Sequence, residues 1–216
     1  MIGQLLDLIG RKYPLTPVDV GEYAALRANR MKFSISAYKA QGLGHVSVMR
    51  AKGLFGMMNM DTLMVTPVHR DLPLYSYDRI HAFGNDTLIV ELYRTLLGAG
   101  YDGSSLQEVK QEYAFLPNRD PGQHWYDDIK LSESLSLKGK KKETPHLDAL
   151  ALAHLQAYLC APCLDVEDVE AKRQACETYV EGLLTHGGPS TDVFLKALGE
   201  EQTRILFTHI LFGTTL

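Results

Sequence analysis

The sequence predicts an α+β protein in which an antiparallel sheet is followed by a helical half, with helices on both faces of the sheet. Three observations predict it. Between Met31 and about Thr95, apolar and polar residues alternate with a period of two over several short consecutive runs. Gly-containing or Asn-Asp turns separate those runs, as expected of an antiparallel meander. After Ser104 the apolar spacing becomes helical, and a sheet followed by helices buries its faces against them.

The elements follow in order. Leu5, Leu6, Leu8 and Ile9 fall close to one face of a first helix, which Pro14 and Pro17 break. A second short helix is expected over Val18–Asn29, with Asp19 near its start. In FSISAY, Phe33 and Ile35 oppose Ser34 and Ser36; in HVSVMR, Val46 and Val48 oppose His45 and Ser47. MDTLMV, LPLYSYDRIHAF and DTLIVELY continue the meander, with a hairpin turn at Gly84-Asn85-Asp86. A helix over Ser104–Leu116 opens on a serine cap with Glu108 close behind. LSESLSLK reads as a further strand. His146–Leu159, Val166–Leu184 and Thr191–Phe212 read as helices, the last bent at Gly199.

Bulk properties narrow the function. The chain has 216 residues, a length at which one domain spanning 1–216 is the default. Hydrophobic residues make up 45% and charged residues 22%, ordinary globular values. A net charge of -4 argues against nucleic acid as the main partner. No run approaches the ~18 apolar residues of a membrane span, so no membrane partner is expected. The N-terminal MIGQLLDLIGRKYPLTP is not the pattern of a secretory signal, and an odd number of cysteines fits a reducing cytoplasm. P-loop and GxSxG motifs are absent, which weighs against P-loop nucleotide binding and serine hydrolysis.

Asp78 is the leading candidate for chemistry. It shares a strand face with Leu74, Ser76, Ile80 and Ala82, and a carboxylate among small and apolar residues loses solvation. That raises its pKa and suits it to donate a proton near neutrality. A salt bridge or an exposed sheet face would accommodate the same pattern. Met49, Met57, Met58, Met60 and Met64 lie in two adjoining strands, where thioethers either pack a core or line an adaptable pocket. Cys160-Ala161-Pro162-Cys163 follows a helical stretch rather than a buried strand, so it reads as a helix end stopped by Pro162 and not as a redox or zinc motif. Lys138, Lys140, Lys141 and Lys142 form a basic run that is either a solvated loop or a holder of carboxylates.

Three ordered segments resemble the ferredoxin-dependent bilin reductases: MVTPVHRDLPLYSYD, HWYDDIKLSESLSLK and FLKALGEEQTRILFTHILFG. They span about residues 40–213 in the family's order. The resemblance implies an α/β/α sandwich with a linear tetrapyrrole such as biliverdin between the sheet and the C-terminal helices. It implies no bound metal or flavin, with single electrons from ferredoxin or a similar acidic donor and protons from pocket side chains. It places Asp78 at the family's central catalytic Asp, aligns His45 with a family His, and sets Lys138 near a basic residue that pairs with a bilin propionate. Met60, Met64, Thr62 and Ser76 would line the substrate pocket. The sequence departs from the family at three places: Thr62 stands near an expected second His, Ser47 near an expected Glu, and His186-Gly187-Gly188-Pro189-Ser190 replaces a propionate-binding Lys. Asp78 and Lys138 favour a reductase; Thr62 and Ser47 favour a non-catalytic tetrapyrrole carrier on the same fold. An unrelated binding module is the third reading.

Overall fold

The computed structural model describes residues 1–53 and 56–216. An eight-stranded antiparallel sheet forms its centre, in the order β1-β3-β4-β5-β6-β7-β8, with β2 also pairing β3. The meander is β3 (Met31–Ala40), β4 (Gly44–Gly53), β5 (Met58–Pro67), β6 (Leu74–Ala82) and β7 (Asn85–Tyr93). β8 (Leu135–Lys140) then adds beside β7 after a long excursion. Consecutive hairpins lock the register, and each slip of one residue would turn the apolar set outward.

Val18–Asn29 is not a helix. It starts at the last residue of β1 (Leu15–Val18) and holds a 3-10 turn (Gly21–Ala24) and β2 (Ala25–Ala28), and both strands lie along β3. Pro17 and Gly21 interrupt any helical run, and the free edge of β3 supplies backbone partners that local propensity cannot foresee. The β6–β7 turn also sits one residue earlier than expected. Phe83 and Gly84 both have positive φ and Ala82 pairs Asn85, which makes a two-residue hairpin of the primed kind.

Five helices cover the sheet. α1 (Ile2–Lys12), α2 (Ser104–Glu112) and α3 (Thr144–Cys160) share one apolar cluster with Val46, Val48, Leu63, Val65, Tyr75 and Tyr77. α4 (Val169–His186), α5 (Pro189–Ile205) and a terminal π-helical turn (Leu206–Leu211) pack over the opposite face with Phe33, Ile35, Met49, Met64 and Leu74. The serine cap expected for α2 is not made; Asp102 accepts from the Ser104 N–H instead. α3 stops at Cys160, where Ala161 turns extended ahead of Pro162, because a residue preceding proline avoids the helical region. Gly199 bends α5 through φ +79, a conformation glycine adopts without a Cβ clash. No described helix is long and apolar enough to cross a membrane.

Candidate functional site

On β6 the odd residues Tyr75, Tyr77 and Arg79 are buried under α3, while Ser76, Asp78 and Ile80 on the other face are only half-buried. That face opens into a cleft between the sheet and the C-terminal helices. Met49, Thr62, Met64, Ser76, Asp78, Glu91 and Tyr93 form its floor. Tyr126, Tyr179, Leu183, Gly188, Thr191, Phe207, Leu211 and Phe212 form its walls. The cleft itself measures about 120 Å³, and a hollow of about 580 Å³ lined by Met31, Phe33, Met58, Met60 and Val193 adjoins it across Ser190. Both lie along one face of the sheet and form a trough with methionine on its floor.

The register explains the grouping. Met49, Thr62, Asp78 and Ile89 are mutually opposite across four strands, and Met64, Ser76 and Glu91 form the next row on that face. Thr62 Oγ1 donates a hydrogen bond to Asp78 Oδ1. Burial pushes the Asp78 carboxyl up to about 6; the Thr62 bond opposes the rise and the nearby Glu91 charge adds to it. The residual exposure of Asp78 faces the cleft, so an apolar occupant would remove its last water contact and raise it further.

Glu91 is held from two sides. Tyr93 donates to Glu91 Oε2 at 2.6 Å, and the Lys130 ammonium lies 3.8 Å from Oε1 while pairing with Asp127 at 2.6 Å. Tyr93 stacks on Tyr179 at 4.0 Å and meets Tyr126 edge-on at 5.3 Å. Trp125 stacks against Tyr179 and lies 5.2 Å from His186. Tyr93, Tyr126, Tyr179, Phe207, Phe212 and Lys130 were not singled out from sequence. They come from four separate segments, and only their convergence makes a site; the aromatic cluster HWY was the available signal.

Of the site residues expected from sequence, Asp78, Thr62, Ser76 and Met64 meet in the cleft, and Met60 lines the adjoining hollow. His45 does not join them. It lies on the same face but four residues along β4 from Met49 and two strands from β6, roughly 16 Å from Asp78 by strand geometry. Its Nε2 contacts the Ile210 carbonyl at 2.8 Å, Gly213 packs against its ring, and burial lowers its pKa. Ser47 is likewise engaged, donating to the Leu211 carbonyl at 2.6 Å. Lys138 is exposed on β8, two strands from Asp78, and roughly 10 Å from β6. Cys160 is exposed at the end of α3, Cys163 is half-buried and Cys176 is buried.

Fold and trough together make an α/β/α sandwich whose antiparallel sheet presents the half-buried Asp78 beneath its C-terminal helices. The fold is similar, at a TM-score of 0.75, to that of the crystal structure of phytochromobilin synthase from tomato in complex with biliverdin. The match covers 99% of this chain and 82% of that one at 13% sequence identity, a likeness of fold. The biliverdin bound in that structure is a linear tetrapyrrole, the ligand class of the family the three sequence segments resemble. No protein-family model and no curated protein sequence matches the chain.

Proposed function

We propose that the chain binds a linear tetrapyrrole in the trough and reduces it with single electrons from an acidic iron-sulfur donor of the ferredoxin type. The observation that carries the reading is Asp78: a carboxyl raised to about 6, on the floor of a cleft roofed by aromatic and apolar side chains. A conjugated ligand that gains two electrons must take up two protons. Asp78 gives the first to the one-electron-reduced ligand and is left as a carboxylate. Glu91, two residues along on the neighbouring strand and linked through Lys130 to the exposed Asp127, passes the second from solvent. His45 has no direct part, since protein groups cover it. The methionine floor and tyrosine walls suit a long apolar ligand, whose burial contributes roughly 25 cal/mol per Å² before the costs of association.

Thr62 favours a second reading, a tetrapyrrole carrier, because it stands near the second His that the family resemblance implies and ties Asp78 by a hydrogen bond. The test separates the two. Biliverdin is titrated into the protein by absorption, and reduced ferredoxin is then added without oxygen. A spectral shift on binding followed by bleaching to a reduced bilin fits the reductase; a shift without turnover fits the carrier. No shift at high micromolar protein rejects both.

A further inference from the structure

The face of the sheet opposite the cleft is covered at one end only. Val46, Val48, Leu63 and Val65 lie beneath helices, but at the other end the same face carries Arg27, Lys32, Arg50 and Lys52, all exposed. The register sets Arg27 opposite Lys32 and Lys32 opposite Lys52, with Arg50 one row further along opposite Ser34. Directly opposed side chains on paired strands stand about 5 Å apart, and like charges there repel. Among the described residues none of these four forms an ion pair. Asp61 stands opposite Arg50, and the next carboxylate, Asp86, is already engaged by Arg79. In a chain of net charge -4, such a concentration costs stability and fits a negatively charged partner.

Position indicates what the partner is. Arg50 neighbours Met49 on β4, and Asp61 neighbours Thr62 on β5; adjacent strand residues point to opposite faces. The patch therefore sits directly behind the cleft floor, with the thickness of one sheet between them and no helix above it. The lysines at the β8 end are more committed: Lys140 donates to Asn85 Oδ1 at 2.6 Å and Lys142 pairs with Glu143 at 3.2 Å.

We infer that the face formed by Arg27, Lys32, Arg50 and Lys52, rather than the run Lys140–Lys142, docks an acidic protein that delivers electrons through the sheet to the trough. The donor's role rests on the reductase reading; the docking surface does not. Complementary charge at such a face sets the encounter rate and its salt dependence more than it sets contact energy.

The test is a calorimetric titration of oxidised plant-type [2Fe-2S] ferredoxin into the bilin-free protein at low and high salt. The variants are Arg27→Gln/Lys32→Gln/Arg50→Gln/Lys52→Gln and, separately, Lys140→Gln/Lys141→Gln/Lys142→Gln. The fourfold variant is expected to bind at least about tenfold more weakly and to lose most of the salt dependence, while the triple variant changes by less than about threefold. Its thermal midpoint should hold or rise, because like charges are removed. Biliverdin titration into the same variants reads the reductase proposal independently: ferredoxin binding that depends on this face, in a protein that takes up no bilin, sustains the surface and rejects the reductase. Loss of ferredoxin binding in the triple variant alone, no ferredoxin binding by the wild type, or a face that takes anionic vesicles or RNA in preference to ferredoxin overturns the inference.

Discussion

Asp78 is unfavourable where it stands, since a carboxylate in a half-buried strand has lost most of its water. This makes it visible to measurement. Its folded pKa of about 6 lies above the ordinary 3.8, so the folded chain holds the extra proton between those values and stability falls as pH rises through that window. Asp78→Asn carries no such cost. We expect the variant to be more stable than wild type above pH ~6, by up to about 3 kcal/mol, with the gain vanishing below pH ~4. His154 has the opposite sign. It is buried between the Tyr75 hydroxyl at 3.3 Å and the Glu133 carbonyl at 3.1 Å, and burial lowers it to about 4. The unfolded chain therefore binds the extra proton below pH ~6.5, and this contribution to stability is lost as pH falls toward 4. The two slopes oppose each other in wild type, so thermal midpoints of Asp78→Asn between pH 4 and 6.5 should show a steeper acid loss than wild type. Equal slopes would contradict the Asp78 assignment. Asp78 was legible in sequence because alternation alone fixes its face. Its partners were less so: Thr62 opposite it follows from strand register, and the tyrosine wall follows from helix docking, neither of which a single segment encodes.

At the scale of elements, α4 is fastened by a buried cation. Lys172 Nζ lies 2.9 Å from Asp71 and donates to the carbonyls of Leu72 at 2.7 Å and Thr95 at 2.6 Å. Burial alone would raise Asp71, but Lys172 and the N–H groups of Leu97 and Gly98 outweigh it and hold the carboxyl below its usual range. Lys172→Met strands that carboxylate and should destabilise the protein by about 3–5 kcal/mol in urea unfolding, much of it recovered by adding Asp71→Asn. A cost below ~1 kcal/mol would mean the clamp contributes little. The π-helical turn is set with similar closeness. Gly213 has φ +61 and a Cβ there would overlap the His45 ring, so Gly213→Ala should cost about 1–3 kcal/mol and loosen the Phe207 and Phe212 wall of the cleft. Unchanged stability would show that His45 and the turn yield freely. The meander from β3 to β7 and the three C-terminal helices were readable because each carries its own periodicity over nine residues or more. β2 falls where a helix is expected and β1 where only a break is, because strands of four residues exist only through the edge they pair with.

The whole molecule divides its labour between the two faces of one sheet. The side under α1 and α3 is closed with large side chains such as Tyr75, Tyr77 and Tyr158, all buried to within 1% of full exclusion. The side under α4 and α5 is packed at its ends and open in the middle, where the acid stands. Sequence pattern anticipated two covered faces. It did not anticipate which end would be left bare, because that depends on helix lengths and crossing positions rather than on alternation. In the proposed function the open side is a reduction site and Asp78 its proton donor. Anaerobic single turnover puts that to the test: Asp78→Asn loaded with biliverdin is mixed with reduced ferredoxin and followed by absorption and electron paramagnetic resonance. The variant should bind bilin as wild type does, take one electron, and stall as a radical whose decay is slower by ~10²–10⁴-fold. Product formation at the wild-type rate with no accumulated radical would remove Asp78 as the proton donor.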